Sequence, residues 1–179
     1  ITHTILMTYM LATPFYDPEK SYEENFEKGP YGAFTDKEII ENNSKQKYDF
    51  LGFKVNSPFG IPAGPLINGN FVQAAFDKGF DIVTYKTVRT KKYPCHSWPN
   101  VLSVSVDGDL TLDKAKRKLT ADHNYHEPLS ITNSFGVPSP SPDFWQEDLK
   151  QVVENTRDGQ IVIGSFQGTK EGDGDVEAY

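Results

Sequence analysis

Cysteine is nearly absent from this sequence: Cys95 is the only one in 179 residues. No intrachain disulfide can brace the fold, and such sparse thiol use fits a reducing compartment, with the cytoplasm as the expected location. Long apolar runs are missing too. Residues 1–12 are mildly apolar but fall short of the ~20 residues that a helical membrane span needs. With no Lys or Arg ahead of Lys20, they also lack the basic start of a secretory signal. They read as a buried strand or a segment crossing the base of the domain, and no membrane partner is expected. Basic charge is in deficit, with 18 Lys and Arg against 25 Asp and Glu, a net charge of −7 and a pI near 5.1. That balance argues against nucleic acid or an anionic membrane as partner, because both select a basic footprint. It leaves room for a small anion in a locally basic pocket. No internal repeat or low-complexity tract occurs, and the absence of a leading Met suggests a processed or partial chain.

What is present is enough for a core. The chain is 37% hydrophobic, with twelve Phe and nine Tyr, and one domain is the natural expectation. Residues 1–47 form an N-terminal arm; from Pro14 to Lys47 its Pro, Gly, Tyr and acidic residues show no apolar period, so this stretch is expected to be solvated. Its one helix signal is at residues 35–41, with Thr35 as N-cap and Glu38 closing a capping box. Residues 48–55 alternate around Gly52 and suggest a hairpin. Residues 59–63 then read as a strand running into Gly64. Asn68 caps a helix carrying Phe71, Val72, Ala75 and Phe76, which ends before Gly79. Residues 80–88 are β-branched and aromatic and read as a buried strand, completing a βαβ unit and hence a parallel sheet. Residues 101–106 and 110–112 suggest an antiparallel hairpin turning at Asp107-Gly108-Asp109, and residues 113–127 read as irregular. A helix over 142–156 places Phe144, Trp145, Leu149, Val152 and Val153 on one side, and a buried strand follows over 160–166.

Three stretches suit a ligand's approach. In Ser57-Pro58-Phe59-Gly60-Ile61-Pro62-Ala63-Gly64-Pro65-Leu66, Gly64 permits backbone geometry closed to other residues and the prolines fix the path. Tyr85-Lys86-Thr87 offers one cation. Ile131-Thr132-Asn133-Ser134-Phe135-Gly136-Val137-Pro138 offers Asn133, with a donor and an acceptor at one tip. Each falls at the end of an expected strand, so the three together suggest one wall of a cofactor site. Plainer readings stand beside this. Lys86 can snorkel to a rim or act as the Schiff-base lysine of an aldolase, and Asn133-Ser134 can be only a turn. Cys95 beside His96 lacks a third partner and reads as a loop thiol. His123, His126, Glu127 and Asp122 match no metal-ligand spacing, so no metal is expected. Arg89, Lys91 and Lys92 read as a solvated loop face.

In order and approximate spacing, these stretches resemble the dihydroorotate dehydrogenases, and residues 160–164 resemble the strand that follows in that family. The resemblance covers about residues 48–169 and leaves the arm outside. It implies a (β/α)8 TIM barrel with FMN at its C-terminal face, oxidising dihydroorotate to orotate in pyrimidine biosynthesis and passing the hydride to FMN. On that basis Pro62, Ala63 and Gly64 would lie against the flavin. Lys86 would sit between flavin and substrate, and Thr87 would donate to the cofactor. Asn133, Ser134, Phe135, Gly136 and Val137 would line the substrate pocket. The family more often has Asn-Ala-Ser-Gly where this chain has Ile61-Pro62-Ala63-Gly64, which removes one hydroxyl. A barrel of this kind takes about 250 residues, so residues 48–179 are expected to supply only its first half. The catalytic Cys or Ser base would then lie beyond Tyr179. The alternatives are another FMN pyrimidine reductase, a lysine aldolase, or a non-catalytic half-barrel that a partner chain completes through the arm; a homodimer is left open.

Overall fold

The computed structural model of the protein describes residues 14–41, 47–125 and 129–170; the strand expected over 1–12, the acidic tail, His126 and Glu127 lie outside the described residues. In chain order the elements are α1 (Tyr22–Lys28), a 3-10 turn (Gly32–Thr35), β1 (Tyr48–Phe50), β2 (Phe53–Val55), β3 (Gly60–Ile61), α2 (Gly69–Asp77), β4 (Ile82–Thr84), β5 (Val88–Arg89), β6 (Val101–Val104), α3 (Leu112–Ala115), β7 (Ala121–Asp122), β8 (Ile131–Asn133), α4 (Pro142–Glu154), β9 (Ile161–Ile163) and β10 (Phe166–Gln167).

The central layer follows from one capped helix between two strands. Asn68 accepts from the N–H groups of Asn70 and Phe71 at 3.1 and 3.3 Å, satisfying the donors that start α2. Phe71, Val72, Ala75 and Phe76 are buried, and Lys78 and Gly79 end the helix. The crossover returns β4 parallel to β3, and β9 pairs parallel on the other side of β4. The strand expected over 80–88 is interrupted. Tyr85 N–H still donates to Ile163 O at 2.9 Å, but Lys86 N–H turns to Leu66 O at 3.0 Å. Val88 N–H then donates to Ser165 O at 3.0 Å, and β5 runs parallel to β10. Tyr85-Lys86-Thr87 is therefore the kink between two ladders.

Helix α4 packs against α2. Trp145 and Val152 are buried and Leu149 packs with them, at i, i+4 and i+7 of one stripe. Phe144 and Val153, expected on the same side, are 45% and 54% exposed because they fall off that stripe. Asp148, on the next turn of α4, accepts from Gly69 N–H at 2.7 Å and from Tyr85 Oη at 2.5 Å. One carboxylate thus caps α2 and fixes the residue before Lys86.

A second sheet, in the order β7–β6–β8, is antiparallel throughout. This corrects the hairpin expected over 101–112. Leu110 and Leu112 are exposed, and Thr111 instead caps the short helix α3 by accepting from Lys114 N–H at 3.3 Å. The partners of β6 come from well downstream, and three alternating residues carry too little apolar area to compete. The expected β1–β2 hairpin does form, turning through Leu51 and Gly52. The described residues are mixed α/β and form no closed barrel.

The arm also differs from expectation. Residues 35–41 hold no helix: Thr35 ends the 3-10 turn, Lys37 has φ 59°, and Ile40 N–H donates to Asp77 O at 2.7 Å. The capped helix lies earlier, where Ser21 Oγ accepts from Glu24 N–H at 3.0 Å in the pattern Ser-x-x-Glu. Asn25, fully buried, is bound to the Asp17 and Ser21 backbone. Tyr22 belongs to the core, and Phe15, Tyr16, Phe26 and Phe34 pack against it. Aromatic area outweighs the lack of periodicity, so the arm is part of the core rather than a solvated excursion.

Candidate functional site

A cavity of about 1120 Å³ opens where the parallel layer, the antiparallel sheet and the arm meet. The parallel layer contributes Ala63, Gly64, Lys86 and Thr87; the 133–137 loop contributes Asn133, Phe135, Gly136 and Val137; the arm contributes Phe15, Tyr16, Tyr22 and Tyr31. Gly64 has φ +132°, a conformation that needs glycine, and a Cβ there would meet nothing within 4 Å. The backbone at Gly64 therefore offers a bare, open edge to the cavity. Pro62 and Ser134 lie outside the lining. Ser134 is turned to the loop, its Oγ 3.0 Å from His96 Nδ1.

Lys86 is the electrostatic centre. Alternation along the strand sends Val83 and Tyr85 to the helices and Lys86 to the other face. It is only 6% exposed, and among the described residues its one hydrogen bond is a long one to Thr87 O at 3.4 Å. No carboxylate among the described residues pairs with it. Burial, and then the nearby Arg89 cation, lower its pKa from the ordinary lysine value to about 8. A buried cation with so little compensation favours an anion or a strong acceptor beside it. Thr87 Oγ1 lies 2.8 Å from Ser165 Oγ; one of the two hydroxyls donates to the other, so the pair keeps one proton for a further acceptor.

Arg89, read from sequence as part of a solvated face, is buried, while Lys91 and Lys92 are exposed. Its Nε donates to Val137 O at 2.9 Å and a terminal nitrogen to Gly136 O at 3.3 Å, while its guanidinium stacks 4.1 Å from the Tyr93 ring. These bonds hold a strained turn. Gly136 has φ 74° and Val137, a β-branched residue, has φ 53°. Asn100 secures the other end, accepting from Ser134 N–H at 2.8 Å and donating to Ser134 O at 3.0 Å. Burial pushes the Cys95 thiol up to about 11, with Glu23 adding to it, which leaves the thiol protonated and fits the loop reading.

The sequence reading missed Ser165, Arg89 and the three arm tyrosines. Only Ser-x-x-Glu at residues 21–24 signalled that the arm was ordered. Among the described residues no group of three or more His, Cys, Asp or Glu is placed to hold a metal, and no helix is long and apolar enough to cross a membrane.

The fold and cavity define a class, an α/β domain with a cavity of small-molecule size at the ends of parallel strands. Comparison with known proteins narrows it. No family model matches the chain. A Dictyostelium discoideum protein named dihydroorotate dehydrogenase is 36% identical over 174 residues, which take in 91% of this chain and 46% of that protein. The chain is similar to that protein over nearly all its own length and spans less than half the length of that relative.

Proposed function

We propose that this chain supplies part of an FMN-dependent site that oxidises dihydroorotate to orotate, on a parallel layer that belongs to a (β/α)8 barrel. Residues 48–179 are read as barrel and residues 1–47 as an N-terminal arm, of which residues 14–41 pack against the core. The observation that carries the reading is Lys86: a buried cation without a carboxylate partner among the described residues, at a strand end, facing a cavity large enough for a ring system. The other residues fit the group. The Ala63–Gly64 edge lets a flat ring approach the backbone, and the Thr87–Ser165 pair retains a proton to donate. FMN, when bound there, supplies the two-electron acceptor for the substrate's hydride.

The chain's own residues bind and orient. Lys86 attracts the anionic substrate and offsets negative charge that builds up during oxidation. Asn133 pairs with ring N–H or C=O groups, and Phe135 with Val137 excludes water. Discrimination follows because these polar groups go unpaired with a wrong ligand. A proton acceptor for the substrate carbon belongs to the Cys or Ser expected outside these residues.

The complete protein should purify yellow, and dihydroorotate should bleach it without added nicotinamide. Lys86→Ala should lower turnover by about 100-fold or more, on the scale of losing one preorganised charge. A colourless protein that FMN cannot reconstitute, or unchanged kinetics in the variant, would sink the assignment. One observation favours a second reading. A lysine with a pKa of about 8 is a competent amine nucleophile, as in a Schiff-base aldolase. Borohydride trapping of a carbonyl substrate on Lys86 would select that chemistry.

A further inference from the structure

The arm carries a feature that the three motifs leave unexplained. Tyr16, Tyr22 and Tyr31 all line the cavity, and the hydroxyl of each is buried with no hydrogen-bond partner among the described residues. Buried polar groups in folded proteins are paired in the great majority of cases. Here three unpaired phenols share one wall of one cavity. Tyr22 is the most enclosed, at 7% exposed.

Two of the rings converge on the ligand loop. Tyr16 and Tyr22 pack against Phe135 with centroids 5.6 and 6.2 Å away and ring planes at 87° and 62°. Phe135 lines the same cavity between Asn133 and Gly136. Burial, followed by the neighbouring Cys95, raises both phenols well above the ordinary tyrosine value, so both keep their protons and remain donors. Lys86 adds a positive charge from the parallel layer, while the arm brings the carboxylates of Asp17, paired with Lys20, and Glu19 to the cavity along with the phenols. Around them the surface is aromatic, which suits the face of a flat ring.

We propose that the arm is a recognition wall, in which Tyr22, with Tyr16 beside it, donates a hydrogen bond to an acceptor oxygen on a planar ring ligand in this cavity. The ligand class is a ring acid or ring carbonyl compound, its oxygen shared between a phenol and the Lys86 side. This rests on the reading of the cavity as the dihydroorotate site but adds to it a segment that the family motifs leave out.

The test uses Tyr22→Phe and Tyr16→Phe in the complete protein, titrated with orotate and, separately, with benzoate as the simplest planar ring carrying an acceptor carboxylate. Flavin content and the melting temperature of the ligand-free protein are measured alongside. Tyr22→Phe should weaken both ligands by about tenfold or more, the scale of one hydrogen bond to a charged group. Flavin content should hold, and the ligand-free melting temperature should stay level or rise, because an unpaired hydroxyl has been removed. Unchanged affinities in both variants overturn the proposal. So does a fall in ligand-free melting temperature that accounts for the lost affinity, since that gives the hydroxyl to the fold. If the wild type binds benzoate, but neither FMN nor orotate, and Tyr22→Phe weakens benzoate, the recognition wall stands and the dihydroorotate reading falls. If the wild type binds neither orotate nor benzoate, both fall.

Discussion

The two three-stranded sheets of this chain are built on different terms. In β3–β4–β9 the neighbours are joined through crossovers, Val83 is fully buried, and α2 and α4 are locked together over the layer by Asp148. In β7–β6–β8 the partners come from separated loops, and every residue of β8 is exposed. The first sheet places Lys86 with little freedom. The second, with the arm, shapes the space that Lys86 faces. A rigid layer carrying the charge and a loop-rich layer carrying the contours is the division expected of a binding domain.

The largest effect should come from cutting the rigid layer's interlock. Asp148→Ala leaves the buried Tyr85 hydroxyl and the Gly69 N–H unpaired together, and should cost about 2–4 kcal/mol in urea unfolding. A loss under about 1 kcal/mol would erase the contrast between the layers, since it would fall to the level of an ordinary surface change. A middle effect is read by pH. Lys86 has a folded pKa of about 8, below its ordinary value, so burying its charge costs stability in full below that pH. Stability should rise as pH climbs from about 8 towards the ordinary lysine value. Orotate affinity should fall in the same window, by up to about tenfold per unit as the cation is lost. Lys86→Met should flatten both profiles. The smallest effect belongs to the contoured side. Val137→Gly relieves a left-handed β-branched residue and should raise the melting temperature slightly, by the equivalent of about 1 kcal/mol or less once glycine's extra chain entropy is subtracted.

The same contrast explains what could be read from the sequence. Asn68, Gly79 and the apolar runs at 71–76, 82–85 and 161–163 are local signals, and they located α2, β4, β9 and the cavity's charged wall. The hairpin expected at 101–112 failed because the partners of β6 are chosen by tertiary packing, which neighbouring residues do not encode. The arm was misjudged because, of Phe15, Tyr16, Tyr22, Phe26 and Phe34, only Tyr22 and Phe26 share a helical spacing, although together the five bury much aromatic surface. Arg89 looked solvated beside Lys91 and Lys92; its burial depends on carbonyls nearly fifty residues away. The Lys86, Gly64 and 133–137 positions were visible as motifs, whereas Ser165 and the phenols are brought in by the fold alone.

Arg89 has one consequence for how the pocket behaves across conditions. A guanidinium does not titrate in the physiological range, so its grip on the carbonyls of Gly136 and Val137 persists while Lys86, across the cavity that this turn lines, gains or sheds a proton. Form is kept by one cation and polarity is varied by the other. A change of pH that releases the proposed anionic ligand would leave the mould uncollapsed and ready for reloading.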